Sequence, residues 1–270
     1  MALARADLES LLRARQLDRT LTTIVDARDE MAVAPSGIAS LDARLGGGLP
    51  RGHVSEVVGA RSAGRTSLLL RTMAAATARG ELVGLVDALD MFDVESAVTA
   101  GIDLERVLWI RGHVVTSPGF CGDLNQRALE QAIRAFTLVL QAGNFGLVVL
   151  DVAEAPAKAV RRLPFTTWLR LQRMVEGSQT ACLLVGAEPM ARSSAGLTMR
   201  LGIRDSRIGN RESGVGVRES GIGVREAAAG IRFGTSLFDG VNVDARIVRA
   251  RTHQHEDERI PLMTVAADCA

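Results

Sequence analysis

Apolar positions along this chain fall into two textures. Short unbroken apolar runs alternate with longer stretches in which apolar residues recur every three or four positions. The runs predict buried strands and the stretches predict amphipathic helices. Strands are expected over 54–58, 82–87, 107–110, 146–151 and 181–185, with two closing strands at 244–251 and 259–265. Helices are expected from 68 to about 78, over 124–142 and over 166–175. Strand–helix alternation at this spacing calls for an α/β fold with a mainly parallel sheet covered on both faces.

Two regions break the alternation. Residues 35–50 are turn-rich and end in Gly46-Gly47-Gly48-Leu49-Pro50. Residues 204–230 repeat every seven, from Arg204-Asp205-Ser206 through Arg211-Glu212-Ser213 and Arg218-Glu219-Ser220 to Arg225-Glu226-Ala227. A coiled coil is excluded by glycines at Gly209, Gly216, Gly223 and Gly230 and by the lack of an apolar seam. The period is also too short for a solenoid. The segment reads as a flexible low-complexity insertion. At the start, Leu3, Leu8, Leu11, Leu12 and Leu17 mark a helix that either folds back on its own domain or docks on another chain. The expected division is a helical segment at 1–34, a core at 35–203, the repeat insertion at 204–232, and closing strands with a tail at 233–270.

Composition narrows the function classes. Formal net charge is +1, so nucleic-acid contact would need a local patch. Lys158 is the only lysine, and the remaining positive charge is arginine. The three cysteines, Cys121, Cys182 and Cys269, lie far apart without metal-ligand spacing, which suits a reducing cytoplasm. No apolar run is long enough to predict a membrane span.

The strand at 54–58 runs into Gly59-Ala60-Arg61-Ser62-Ala63-Gly64-Arg65-Thr66-Ser67 and then a helix. This is the order of a phosphate-binding loop, whose backbone N–H groups and helix N-terminus face an anion. Gly59 and Gly64 hold the glycine positions, Ser62 lies between them, and Thr66 and Ser67 follow at the hydroxyl end. The lysine of the usual pattern is replaced by Arg65. A guanidinium is wider than an ammonium and fits poorly between two phosphates. Asp151 ends an apolar strand, where a magnesium-orienting acid is expected. ATP and magnesium are the candidate ligands, with Thr66 and Asp151 on the metal side.

In this order, Ser36-Gly37-Ile38-Ala39-Ser40-Leu41-Asp42, Gly46-Gly47-Gly48-Leu49-Pro50-Arg51-Gly52, the loop at 59–67, Asp87-Ala88 and Ala100-Gly101-Ile102-Asp103-Leu104 resemble the RecA recombinase core. The resemblance implies a RecA-type P-loop sheet flanked by helices. It also exposes departures. Leu89 stands where the family carries its water-activating glutamate, with Asp90 one step away, and Ala187 stands near its γ-phosphate-sensing glutamine. Arg249 and Arg251 match two lysines that reach a neighbouring subunit's nucleotide. Leu163-Pro164-Phe165-Thr166-Thr167-Trp168-Leu169-Arg170-Leu171, Glu176-Gly177-Ser178, Leu237-Phe238-Asp239-Gly240 and Ala245-Arg246-Ile247-Val248-Arg249 are similar to the ImuA-type branch of RecA paralogues.

That likeness implies an accessory protein of SOS-induced translesion synthesis, cytoplasmic and nucleoid-associated, without ATP turnover. The implied partners are RecA and an inactive Y-family polymerase-like protein of the ImuB type, with an error-prone C-family polymerase indirectly. Two loops match the single-stranded DNA loops of RecA, at 154–163 with Lys158, Arg161 and Arg162, and at 187–197 with Arg192. Neither contains a stacking aromatic, Phe165 lying just outside. Leu8, Leu11 and Leu12 are the candidate partner-binding positions of the first helix. The competing expectations are an active DNA-dependent ATPase and an SOS cell-division inhibitor.

Overall fold

The computed structural model describes residues 33–112, 122–203, 241–250 and 259–264. The first helix with Leu8, Leu11 and Leu12, the heptad repeats and Arg251 lie outside the described residues.

The turn-rich opening contains more order than its composition suggests. Strand β1 (Val33–Ala34), helix α1 (Ala39–Arg44) and strand β2 (Leu49–Pro50) form a small cap. Asp42 fixes it by accepting from the Ser36 backbone N–H at 2.8 Å and from its hydroxyl at 2.7 Å. Gly48 has φ 146° and packs against the Ala34 carbonyl, so a side chain there would collide with backbone.

The main sheet follows the expected alternation. It runs β3 (Val54–Gly59), α2 (Arg65–Ala78), β4 (Val83–Asp87), α3 (Val94–Thr99) and β5 (Val107–Arg111). It continues α4 (Gly122–Ala142), β6 (Leu147–Asp151), α5 (Ala157–Arg161), α6 (Phe165–Val175) and β7 (Ala181–Gly186). Last come β8 (Leu197–Ile203), β9 (Val241–Ala250) and β10 (Arg259–Thr264). Two short helices, α3 and α5, and strand β8 are additions to the sequence expectation. Strand order is β10-β9-β8-β3-β7-β6-β4-β5. Every pair from β8 to β5 is parallel, and β9 and β10 close one edge antiparallel.

Period-two alternation sorts the central strands between two cores. Leu147, Val149, Leu183 and Val185 face the layer of α1, α2 and α3, with Leu41, Leu69, Met73 and Ala97. Val148, Leu150, Cys182 and Leu184 face the layer of α4, α5 and α6, with Phe136, Ala159 and Leu171. Helix α4 meets the sheet with Leu129, Ala132, Ile133, Phe136 and Leu140, a helical stripe. Burial raises the Cys182 thiol pKa, as the sequence reading of a small hydrophobe implies. Among the described residues no helix is long and apolar enough to cross a membrane.

Two buried polar networks pin the layers. Arg51 pairs with Glu81 at 2.5 Å and donates to the carbonyls of Gln179 at 2.7 Å, Gly146 at 3.2 Å and Val33 at 3.2 Å. Glu56, fully buried in β3, accepts from the backbone N–H groups of Met190 at 2.8 Å and Ala191 at 2.6 Å. Its other oxygen accepts from the Thr198 hydroxyl at 3.0 Å. One carboxylate thereby anchors the segment between β7 and β8.

Candidate functional site

The carboxyl ends of parallel strands gather the candidate residues at one edge of the sheet, the usual ligand position in open α/β folds. β3 releases the glycine loop at Gly59, with β7 and β8 beside it. β4 and β6 end in register, so Asp87 and Asp151 are neighbours.

The loop keeps the shape its glycines demand. A Cβ on Gly59 would lie 2.7 Å from the Leu201 carbonyl oxygen of β8. Gly64 caps α2 at φ 86°, and a Cβ there would lie 2.9 Å from a methyl of Val243 on β9. Ser62 holds φ 60°, an uncommon left-handed value for a non-glycine residue. Thr66 is exposed and Ser67 half-buried on the first turn of α2. The backbone therefore suits a phosphate group at a helix N-terminus.

The side chains around the loop do something else. Arg65 is 6% exposed and points across to the segment following β6. It donates through Nη1 to the Ala153 carbonyl at 3.1 Å and through Nη2 to Glu154 Oε1 at 3.1 Å. Arg61 closes on the same carboxylate, its Nε 2.8 Å from Glu154 Oε2. Glu154 thus places an internal anion against the phosphate loop and pairs with both loop arginines. Thr66 and Asp151 remain chemically suited to magnesium, but a magnesium triphosphate does not fit this arrangement unless the Arg65–Glu154 pair opens.

Asp151 accepts the Ala153 N–H at 2.8 Å through Oδ1. Burial, with Asp87 and Glu154 nearby, raises its pKa to about 6 against the opposing Ala153 hydrogen bond and Arg65 charge. Asp87 is buried and accepts the Phe92 N–H at 2.8 Å through Oδ2, while its Oδ1 has no partner among the described residues. Beyond β4, Leu89 is only partly buried, and Asp90 adopts φ 58°. Asp90 forms a two-pronged pair with Arg111 at 2.7 Å for each contact, and that hydrogen bond holds its carboxyl below the usual pKa. Arg111 in turn lies 4.7 Å from the Trp109 ring centroid. Asp90 is thereby committed to β5 and is a poor proton acceptor for a water at the loop.

The two expected DNA loops are partly folded. α5 occupies the middle of the first, and a 3-10 turn at Arg192–Ser194 lies in the second. The structure brings Arg161, Arg162 and Arg192 around one cavity, with Ala187 on its wall. Lys158 is exposed on α5 outside that lining. Phe165, outside the loop in sequence terms, lines the same cavity. Arg249 on β9 donates through Nη1 to the Arg192 carbonyl at 3.2 Å, within this chain.

Sequence reasoning missed Glu154 and Glu56. The signal for Glu154 was the unusual second arginine in the loop, Arg61, which needs a counter-charge. Nothing in the linear pattern marks Glu56 as a loop anchor.

The family model described as RecA N-terminal domain matches residues 19–159, more than half of the chain. Protein RecA of Clavibacter michiganensis subsp. michiganensis is 36% identical over 131 residues, covering 48% of this chain and 32% of that protein. Protein RecA of Mycolicibacterium smegmatis is 34% identical over 131 residues, covering 48% and 34%. Protein RecA of Leifsonia xyli subsp. xyli is also 34% identical over 131 residues, covering 48% and 33%. The chain spans about a third of the length of these curated relatives.

Proposed function

The chain belongs to the RecA N-terminal domain family, and from that premise we propose that it is a non-hydrolysing RecA-fold adaptor in damage-induced translesion synthesis. One observation carries the reading: Arg65, at the position of the catalytic lysine, is committed to Ala153 and Glu154 instead of facing the loop. Two others support it. Leu89 has no acid–base chemistry at the position of the family glutamate, and its neighbour Asp90 is held by Arg111. Ala187 has no amide with which to sense a γ-phosphate.

With turnover lost, function moves to binding surfaces. The partners follow from the ImuA-type resemblance: RecA, an inactive Y-family polymerase-like protein, and indirectly a C-family polymerase. Such a role places the protein in the cytoplasm, at the nucleoid. Single-stranded DNA is a secondary ligand through Arg161, Arg162, Arg192 and Lys158, by phosphate contact without base reading.

A second reading is favoured by the intact backbone of the loop together with Thr66 and Asp151: an active DNA-dependent ATPase. Phosphate release with and without single-stranded DNA separates the two. The adaptor reading expects no turnover in either condition. Robust turnover that Arg65→Ala abolishes would overturn it. Pull-down with RecA and with the polymerase-like protein, before and after deletion of residues 1–25, tests the partners; loss of binding assigns them to the N-terminal segment.

A further inference from the structure

Between the segments that follow β6 and β7 lies an open cavity of about 370 Å³. Val152, Val160, Leu163, Trp168 and Met190 form its floor and walls, and Phe165, 38% exposed, stands at its mouth. Charge is confined to Arg161, Arg162, Arg192 and Glu188. Glu188 is matched to Arg161 at 2.5 and 3.1 Å, a pair that links α5 to the β7–β8 segment. The guanidinium groups of Arg162 and Arg192 have no ion pair among the described residues, and Arg192 holds a left-handed φ of 48°. The rim therefore carries a net positive charge over an apolar interior, and the Glu56 anchor holds the Met190 wall in place.

We infer that this cavity is a docking site for an acidic peptide segment of a partner protein, which inserts one large apolar side chain and sets carboxylates on Arg162 and Arg192. The volume suits one such side chain plus adjoining backbone, at the small end of ordinary ligand pockets. An apolar anchor in a desolvated pocket with charged groups at its rim is the usual anatomy of a peptide hot spot. A nucleobase fits the same chemistry poorly. Trp168 is buried and only Phe165 offers a ring face for base stacking, while Arg161 and Glu188 are already paired with each other. A buried base would leave polar edge atoms unpaired against the aliphatic part of the lining, which disfavours it. The inference takes from the adaptor reading only the need for a protein partner; the peptide chemistry comes from the cavity.

The test uses the full chain and a fluorescein-labelled acidic octapeptide with one central Phe, followed by fluorescence polarisation. Its controls are the same peptide with Ala for Phe, and oligothymidylate of equal charge. The Phe peptide is expected to bind about tenfold more tightly than the Ala peptide, the measure of one buried aromatic anchor. Ala187→Trp, which fills the exposed rim, is expected to remove that preference. Arg162→Ala combined with Arg192→Gly is expected to weaken binding about tenfold and to flatten its salt dependence. Circular dichroism establishes that each variant folds, and Arg162→Ala alone serves if the double variant does not. Equal binding of the two peptides, or binding of neither, overturns the proposal. So does oligothymidylate that displaces the peptide and loses affinity in Ala187→Trp, since the cavity is then a nucleic-acid site. Anchor-dependent peptide binding in a chain that also turns over ATP supports the docking site while sinking the adaptor reading.

Discussion

Glu154→Gln removes the internal anion while keeping the side chain's size. In the native chain the carboxylate holds the buried Arg65 at 3.1 Å and the exposed Arg61 at 2.8 Å. Any phosphate that uses Arg65 must first break that pair. Glu154 is 26% exposed, so bulk solvent screens the interaction in part. Hydrogen bonds between charged groups are worth about 1.5–3 kcal/mol net, and the lower half of that range suits a partly exposed pair. Lifting a competition of about 1.5–2 kcal/mol corresponds to roughly ten- to thirtyfold tighter binding of a phosphate-bearing ligand. The assay is titration with a fluorescent non-hydrolysable ATP analogue, with and without magnesium, against the native chain, Glu154→Gln and Arg65→Ala/Glu154→Gln. Affinity is expected to rise in Glu154→Gln and to return toward the native value in the double variant. Stability is expected to fall by about 1–2 kcal/mol in Glu154→Gln, because Arg65 keeps its charge and loses its counter-ion. Unchanged or weaker analogue binding in Glu154→Gln would refute the idea that this carboxylate competes with phosphate.

Arg51→Met breaks the buried pair with Glu81 and three backbone contacts; urea unfolding is expected to show a loss of about 3–5 kcal/mol, with a fall in Tm on the order of 10 °C. The raised pKa of Asp151 means that the folded state holds this proton more tightly than the unfolded chain does. Its contribution to stability therefore falls as pH rises from about 4 to about 6, by on the order of 3 kcal/mol, and is level above that. Asp151→Asn is expected to be more stable relative to the native chain at pH 7.5 than at pH 4.5, and an equal difference at both refutes the assignment. Glu56→Gln replaces one acceptor with an NH₂ group; it is expected to cost about 1–3 kcal/mol and to speed amide exchange at Met190 and Ala191.

The parallel sheet was legible because a strand buried on both faces must be apolar throughout, and Leu147–Asp151 and Ala181–Gly186 are. The loop was legible because Gly59 and Gly64 are needed for close approach to Leu201 and Val243, and such positions accept nothing larger. Strand β8 was hidden because Leu197-Thr198-Met199-Arg200 mixes polar with apolar residues, and Thr198 faces Glu56 rather than solvent. Helix α5 escaped notice because five residues give too little periodicity. The partnership of Arg65 with Glu154 spans 89 positions and depends on how the turn after β6 comes back beside the loop. The same holds for Phe165 and Met190, which belong to different segments and meet only across the cavity.

Replacement of a phosphate-loop lysine by arginine does not by itself silence a site, because a guanidinium is still a cation and still binds phosphate. What decides the matter here is where the guanidinium is spent. Arg65 is buried, so it needs a partner at all times, and the chain supplies one in Glu154. Arg61 adds a second positive charge on the same carboxylate, which strengthens the hold of Glu154 on the loop. A triphosphate would therefore displace one anion to install another, gaining only the difference between them. The retained glycines are explained without nucleotide: Gly59 and Gly64 are required by the packing of β8 and β9 against the loop. With a packing reason for the glycines and an internal counter-ion for the cation, the loop's geometry is maintained by contacts within the chain, which is what the proposed adaptor role requires of it.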